Sequence, residues 1–329
     1  MITLSTKTYL CHSHRYTKGV LSAMLNAGFS AGYKTLAKKV QKTECLISDN
    51  PVSELIIDFR SRLFRYIRLV YPSRTAHKRA CSVFRTIEDL SSTDQVLTEK
   101  RRVFMAALDF TGKEVEYAGV SCMYVFSSRV SCPYKTDIKA NRKTKTDERL
   151  KELKSCIAVY KKDMLRLDAL EKCAKALESY IMSDLDGVAA AFYGKEWMLN
   201  VGRYRVPNEE DFFESDRMCV KLARLQNATV LSEDLDNITL FGCDMMIMEI
   251  HTKFFVYATL KDIMALFGSV NRVDTIYKSC LMGTDYNRGL KGIGPVKVKQ
   301  IDETQTKDLF KTCMASQSMN HQKLMQLFM

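Results

Sequence analysis

Two short apolar runs that end in acid constrain this chain more than any other feature. They are Ser-Glu-Leu-Ile-Ile-Asp-Phe at 53–59 and Ala-Thr-Val-Leu-Ser-Glu-Asp at 228–234. Each reads as a strand buried on both faces, the pattern of a parallel sheet. Cys-Met-Tyr-Val-Phe at 122–126 reads the same way, and 245–250 and 254–260 read as shorter strands. Helical spacing fills the intervals. Residues 60–71 set apolar positions against an arginine-studded face. Residues 133–182 are charged and without glycine, as expected of two or more helices projecting from the sheet. A helix is expected over 211–225, and Leu260 begins another helical run. Strands alternating with helices predict an α/β domain with a central, mainly parallel sheet flanked by helices.

In such sheets ligands bind beyond the carboxyl ends of the strands. Asp58, and Asp234 with Asp236, stand at or just after such ends. Glu214 and Asp216 lie on the preceding helix, and Asp285 opens the last motif, Thr-Asp-Tyr-Asn-Arg-Gly-Leu-Lys-Gly-Ile-Gly-Pro. A lone aspartate at a strand end is most often a cap or turn residue. An ordered set of six carboxylates in one crevice is different, because like charges repel and push one another toward protonation. Cations make such a crevice tolerable, and hard oxygen ligands suit Mg²⁺ or Mn²⁺. Two such ions can activate water and hold a phosphodiester in line. The formal charge of +12 and the pI near 9.1 point to a polyanionic partner, nucleic acid first, although an anionic membrane surface also fits basic charge. No apolar stretch approaches the ~20 residues of a membrane helix. Eleven scattered cysteines without metal-ligand spacing read as reduced thiols of an intracellular protein.

The ordered motifs resemble the flap endonuclease and XPG (Rad2-type) group of 5′ structure-specific nucleases. Leu-Ser-Glu-Asp-Leu-Asp-Asn at 231–237 is similar to the group's acidic pair, and 281–295 to its last acidic motif and helix–two-turn–helix. Residues 214–219 resemble its Glu-x-Glu helix with Asp216 in the second place, 55–66 its first acidic strand and helix, and 32–40 its N-terminal glycine segment. The match spans roughly 32 to 301, looser between 70 and 120 and between 155 and 205, as in a divergent member, with a viral source among the expectations. The resemblance implies a PIN-like nuclease core over 32–275 with a helical arch at about 133–182. It also implies a helix–two-turn–helix DNA grip at 276–312 and a tail at 313–329.

The implied activity is metal-dependent hydrolysis of phosphodiesters at single-strand/duplex junctions of DNA, in replication, repair or recombination. Asp58, Glu214, Asp216, Asp234, Asp236 and Asp285 would hold two Mg²⁺ ions, with Mn²⁺ able to substitute. Lys135 and Arg142 match two arch residues that contact the scissile phosphate, and with Lys139 they fall at helical i, i+4 and i+7. Phe64 stands where the group stacks an aromatic ring on a base. Gly292 and Gly294 would form the turn that grips duplex phosphates, with Lys297 and Lys299 beside it and a monovalent cation held by backbone carbonyls. Ser127 and Ser128 stand where the group has a metal-binding aspartate, so a weakened, DNA-gripping scaffold is one alternative, and an RNA-directed nuclease of the same group is another. Gln322, Met325 and Phe328 in Gln-Lys-Leu-Met-Gln-Leu-Phe-Met resemble a sliding-clamp binding box, set against a plain amphipathic helix end. The first 43 residues carry seven Lys or Arg and no acid. They read as a basic arm or extension over 1–31 in a monomer at the nucleus or a viral replication site, with mitochondrial targeting left open.

Overall fold

Both apolar runs that end in acid form buried strands of one sheet. The computed structural model describes residues 32–49, 52–69, 93–128, 130, 132–162, 167–185, 188, 203–290, 292–317 and 319–329; the basic extension 1–31 lies outside the described residues. Gly32–Ala37 is α1, Thr43–Leu46 β1, Glu54–Asp58 β2, Phe59–Leu69 α2, Thr93–Ala118 α3 and Ser121–Val125 β3. Thr136–Lys162 is α4, Leu167–Ser183 α5, Tyr204–Arg205 β4, Ser215–Gln226 α6, Thr229–Leu231 β5 and Asp236–Thr239 α7. Met245–Ile250 is β6, Phe254–Thr259 β7, Leu260–Phe267 α8, Arg272–Met282 α9, Pro295–Val298 α10, Glu303–Ser316 α11 and His321–Phe328 α12.

The seven strands are ordered β1-β7-β6-β5-β2-β3-β4. β6, β5, β2, β3 and β4 pair in parallel, and β7 and β1 close one edge antiparallel. The twofold alternation of a strand sends Ile56 into the core on one face and Leu55 and Ile57 into the core on the other. Both faces are therefore covered, which is why β2 reads as an unbroken apolar run. From β2 the chain goes to β3 on one side and reaches β5 on the other. That change of direction leaves a crevice at the carboxyl ends of β2 and β5, where Asp58 and Ser232–Asp236 lie.

Several elements differ from the sequence reading. The long α4 and α5 pair with each other, but they do not simply project. Leu153, Tyr160, Leu170, Cys173, Leu177 and Ile181 are buried in the same cluster as Ile57 and Phe104, so apolar burial docks the pair on the sheet. The helix expected over 211–225 is interrupted. Glu209–Asp211 makes a 3₁₀ turn, Phe212 and Phe213 take φ of 51° and 57°, and α6 starts only at Ser215. The arginine face of α2 is only partly on the surface: Arg68 is exposed, but Arg62 and Arg65 are buried. Arg62 is fully buried, paired with Glu114 and donating to the Met248 carbonyl at 3.1 Å. Acids supplied by distant elements make that burial tolerable. β1, β4 and the 26-residue α3 were not anticipated; β4 has two residues, too few to carry any period. Among the described residues no helix is long and apolar enough to cross a membrane.

Candidate metal and nucleic-acid site

The six candidate carboxylates, spread over more than two hundred positions, meet in one network. Asp58, the last residue of β2, accepts from the Ser61 backbone N–H at 3.4 Å and so caps α2. Its other oxygen accepts from Ser232 Oγ at 2.8 Å. Asp234 and Asp236 follow β5 in a tight turn: the Asp234 N–H donates to Ser232 Oγ at 3.0 Å, and the Asp236 N–H to Asp234 Oδ1 at 3.2 Å. Asn237 donates to Asp216 Oδ1 at 2.9 Å and to Ser232 Oγ at 3.3 Å. Its own Oδ1 is buried without a hydrogen-bond partner. Asp216, Asp234 and Asp236 offer oxygens that all lie within 4.8 Å of one another. This all-oxygen donor set fits a hard divalent cation.

The interruption before α6 has a use. Glu214 is the N-cap residue of α6, but its side chain makes no capping bond. It turns instead to Lys135 Nζ at 2.6 Å and to the Tyr286 hydroxyl at 3.1 Å. Lys135 closes a 3₁₀ turn just before α4, is 5% exposed, and lies 4.4 Å from the Tyr286 ring centre. Arg142, on α4, reaches Asp285 at 2.7 Å. Lys135 and Arg142 thus both turn toward the acids, one from the 3₁₀ turn and one from α4. Lys139 is half-buried on α4.

Asp285 owes its place to the backbone around it. Thr284 Oγ1 donates to Asn287 Oδ1 at 2.7 Å, Asn287 Nδ2 donates to the Cys280 carbonyl at 2.8 Å, and the Leu290 N–H donates to the Leu281 carbonyl at 2.8 Å. A Cβ at Gly289 would come within 2.5 Å of the Met282 carbonyl carbon, so this crossing requires glycine there. Gly292 is required by its φ of +86°, whereas Gly294 is extended with open space around it and caps α10. Lys297 and Lys299 are exposed beside the turn. Phe64 is half-buried with the Arg68 guanidinium 5.8 Å from its ring centre.

Two residues that the sequence reading did not single out complete the centre. The Tyr33 hydroxyl donates to Asp236 Oδ1. Lys34 Nζ lies 3.3 Å from Asp236, 3.6 Å from Asp285 and 3.9 Å from Asp234. Both belong to the glycine segment at 32–40, but nothing local in that segment says that α1 docks over the acids. Conversely, Glu233, next to Asp234, is kept out of the cluster by Arg65 and Arg68.

The charges shift one another strongly. Burial, then repulsion from Asp234, pushes Asp236 up to about 7. Burial, eased by the Ser232 hydrogen bond, leaves Asp58 at about 6, and burial with Asp234 and Asp58 nearby raises Asp216 well above the carboxylate range. Burial also opposes ionisation of Asp285, but Lys34 and Arg142 outweigh it and hold Asp285 well below that range. A raised acid holds, when folded, a proton that the unfolded chain releases. Its contribution to stability is thus lost as pH rises from about 4 to about 7. Asp234 and Asp285 are lowered, so their contribution persists above about pH 4 and is lost only as pH falls further. The metal-free protein is expected to melt several degrees lower at pH 7.5 than at pH 5, with Asp236→Asn flattening the difference. Melts in a chelator across that range check it; a wild-type slope unchanged in Asp236→Asn contradicts it.

Phe328 differs most from the sequence reading. It is 1% exposed and packs edge-on against Phe241 and Tyr286, at centroid distances of 5.9 and 5.2 Å. Leu324 and Leu327 are buried beside it, Met325 is half-buried and Gln322 is exposed. Arg217 donates to the carbonyls of Gln326 and Leu327, and Arg272 to that of Phe328. The tail is an amphipathic helix packed on the core, with Phe328 buried in it.

No protein-family model matches the chain, and comparison with curated proteins finds no match. Among solved structures it is similar to the catalytic core of Rad2 in complex with DNA substrate. One such complex gives 14% identity and a TM-score of 0.47, covering 92% of this chain and 86% of that chain. A second gives 14% and 0.46, covering 92% and 85%. The catalytic core of Rad2 in a further structure gives 15% and 0.42, covering 92% and 84%. Likeness at this level decides nothing about chemistry, which rests on the carboxylates themselves.

Proposed function

We propose that the chain is a divalent-cation-dependent phosphodiesterase acting on nucleic acid, and within that class a structure-specific 5′ nuclease cutting where single-stranded and duplex DNA meet. One observation carries the reading. Asp58, Asp216, Asp234, Asp236 and Asp285 converge near the carboxyl ends of β2 and β5, three of them on the Lys34 ammonium, with Glu214 held beside them by Lys135 and Tyr286. A cluster of that kind costs stability and is kept where it has cations to hold.

Asp58, Glu214, Asp216, Asp234 and Asp236 would hold Mg²⁺ or Mn²⁺, with Asp285 at the margin. Such an ion supplies Lewis-acid polarisation of the phosphodiester and acidifies water. The residues of the chain do the rest. Asn237 and Ser232 fix Asp216 and Asp58 by hydrogen bonds, so the ligands are positioned in advance. Lys135 and Arg142 stand on the side of the acids nearest α4, and an incoming phosphate can draw them from their carboxylate partners. The motifs at 231–237 and 281–295 support the narrower assignment to junctions, and the turn at Gly292 with Lys297 and Lys299 supports a grip on duplex backbone. Roles in replication, repair or recombination follow from that substrate.

The test is cleavage of a 5′-flapped DNA, the matched linear duplex and single strand, and an RNA flap of the same sequence, with Mg²⁺ and with chelator. Mg²⁺-dependent incision near the flap junction is expected. Preferential cutting of RNA would redirect the substrate while leaving the metal chemistry in place. Binding of the flap without incision of any substrate in Mg²⁺ or Mn²⁺ overturns the enzymatic reading.

A further inference from the structure

Lys34 is half-buried against the acidic cluster and meets three of its members. Its ammonium lies between Asp234, Asp236 and Asp285 at 3.3 to 3.9 Å, the placement a bound cation would take. The backbone beneath it is anchored. Tyr33, Leu36 and Ala37 are buried in the core shared with α8 and α9, and the Tyr33 hydroxyl is tied to the same Asp236. The ammonium is thus tethered at high effective concentration next to three carboxylates, and a free ion entering that corner must compete with it. A Mg²⁺ ion would need oxygens at about 2.0–2.1 Å, too close to the ammonium for both cations to share the same three carboxylates. Asp216 is not among the partners of Lys34 within 4.0 Å. It meets Asp234 and Asp236 within 4.8 Å, and the buried Asn237 Oδ1 has no hydrogen-bond partner.

We infer that Lys34 is a built-in cation: it fills the Asp234–Asp236–Asp285 corner and leaves the site one divalent ion, bound on the Asp216 side. This rests on the reading of the cluster as a metal site and departs from the two-ion arrangement implied by the sequence motifs. The ammonium takes over part of the charge neutralisation a second ion would give, as a positioning residue for Asp236 and Asp285.

The experiment counts ions directly. Mn²⁺ is titrated into the metal-free full chain and bound ions are followed by electron paramagnetic resonance, with no substrate present. Wild type and the charge-conserving Lys34→Arg are expected to bind one uncoupled Mn²⁺. Lys34→Gln is expected to bind two, with the spin coupling of ions roughly 4 Å apart. Two coupled ions in wild type overturn the inference, and that count holds whether or not any variant folds. A single ion in a folded Lys34→Gln, checked by its melting curve, overturns it too. No Mn²⁺ bound by any of the three removes the metal reading itself, and the inference with it.

Discussion

Asp234→Asn combined with Asp236→Asn is expected to lower the proposed Mg²⁺-dependent incision of a flapped DNA by at least ~10³-fold, about 4 kcal/mol of transition-state stabilisation. The two side chains are the shared edge of the cluster. Both belong to the group whose oxygens lie within 4.8 Å, and both face Lys34. Amides keep the shape but remove two negative charges, so a divalent ion loses its principal attraction. In the metal-free protein the two halves of the change oppose each other. Asp236 is 1% exposed, and burial with the neighbouring Asp234 already opposes its ionisation, so neutralising Asp236 relieves repulsion that the folded state carries, while neutralising Asp234 gives up a charge that Lys34 holds against burial. Single-turnover cleavage and thermal melts on the same preparations read both effects. Loss of activity with a little-changed melting point is the expected pair. Activity within tenfold of wild type would remove these residues from the chemistry, and with them the proposed function.

Phe328→Ala costs about 3–5 kcal/mol, the range for truncating a buried phenylalanine, or roughly 4–7 °C in melting temperature for a chain of this size. Phe328 is 1% exposed between Phe241 and Tyr286, and the cavity left behind would border the acidic site. Tyr286 bonds to Glu214 through its hydroxyl and lies next to Asp285 in sequence. Loosening the tail should therefore also weaken divalent-ion binding, although Phe328 touches none of the acids. A clamp-binding role makes the opposite forecast: an unchanged melt and a lost partner. Differential scanning calorimetry of Phe328→Ala beside the exposed control Gln322→Ala separates the two.

Much of the architecture was written locally. Leu55–Asp58 and Thr229–Leu231 could be read as parallel strands because burial on both faces removes the polar alternation of a half-exposed strand. The six acids could be read as a set because each stands at a strand end, a helix start or a tight turn. What failed was the fate of the charges around them. The arginines of α2 carry the same periodicity whether they face water or Glu114 and Glu249, so only the packed elements distinguish the cases. Phe328 and the residues near it have the spacing of an amphipathic helix, and that spacing is the same for a free binding box and for a helix built into the core.

By itself, then, the order of residues determined a parallel sheet, the acids at its carboxyl edge and the turn that needs Gly292. Tertiary structure alone decided which cations meet those acids. Tyr33 and Asp236 are 203 positions apart, and Lys34, Lys135 and Arg142 reach Asp234, Glu214 and Asp285 only after α1 and α4 have docked. The reason is physical. Strand and helix formation depend on neighbours within a few residues, whereas an ion pair across the crevice depends on where hydrophobic burial finally sets each element.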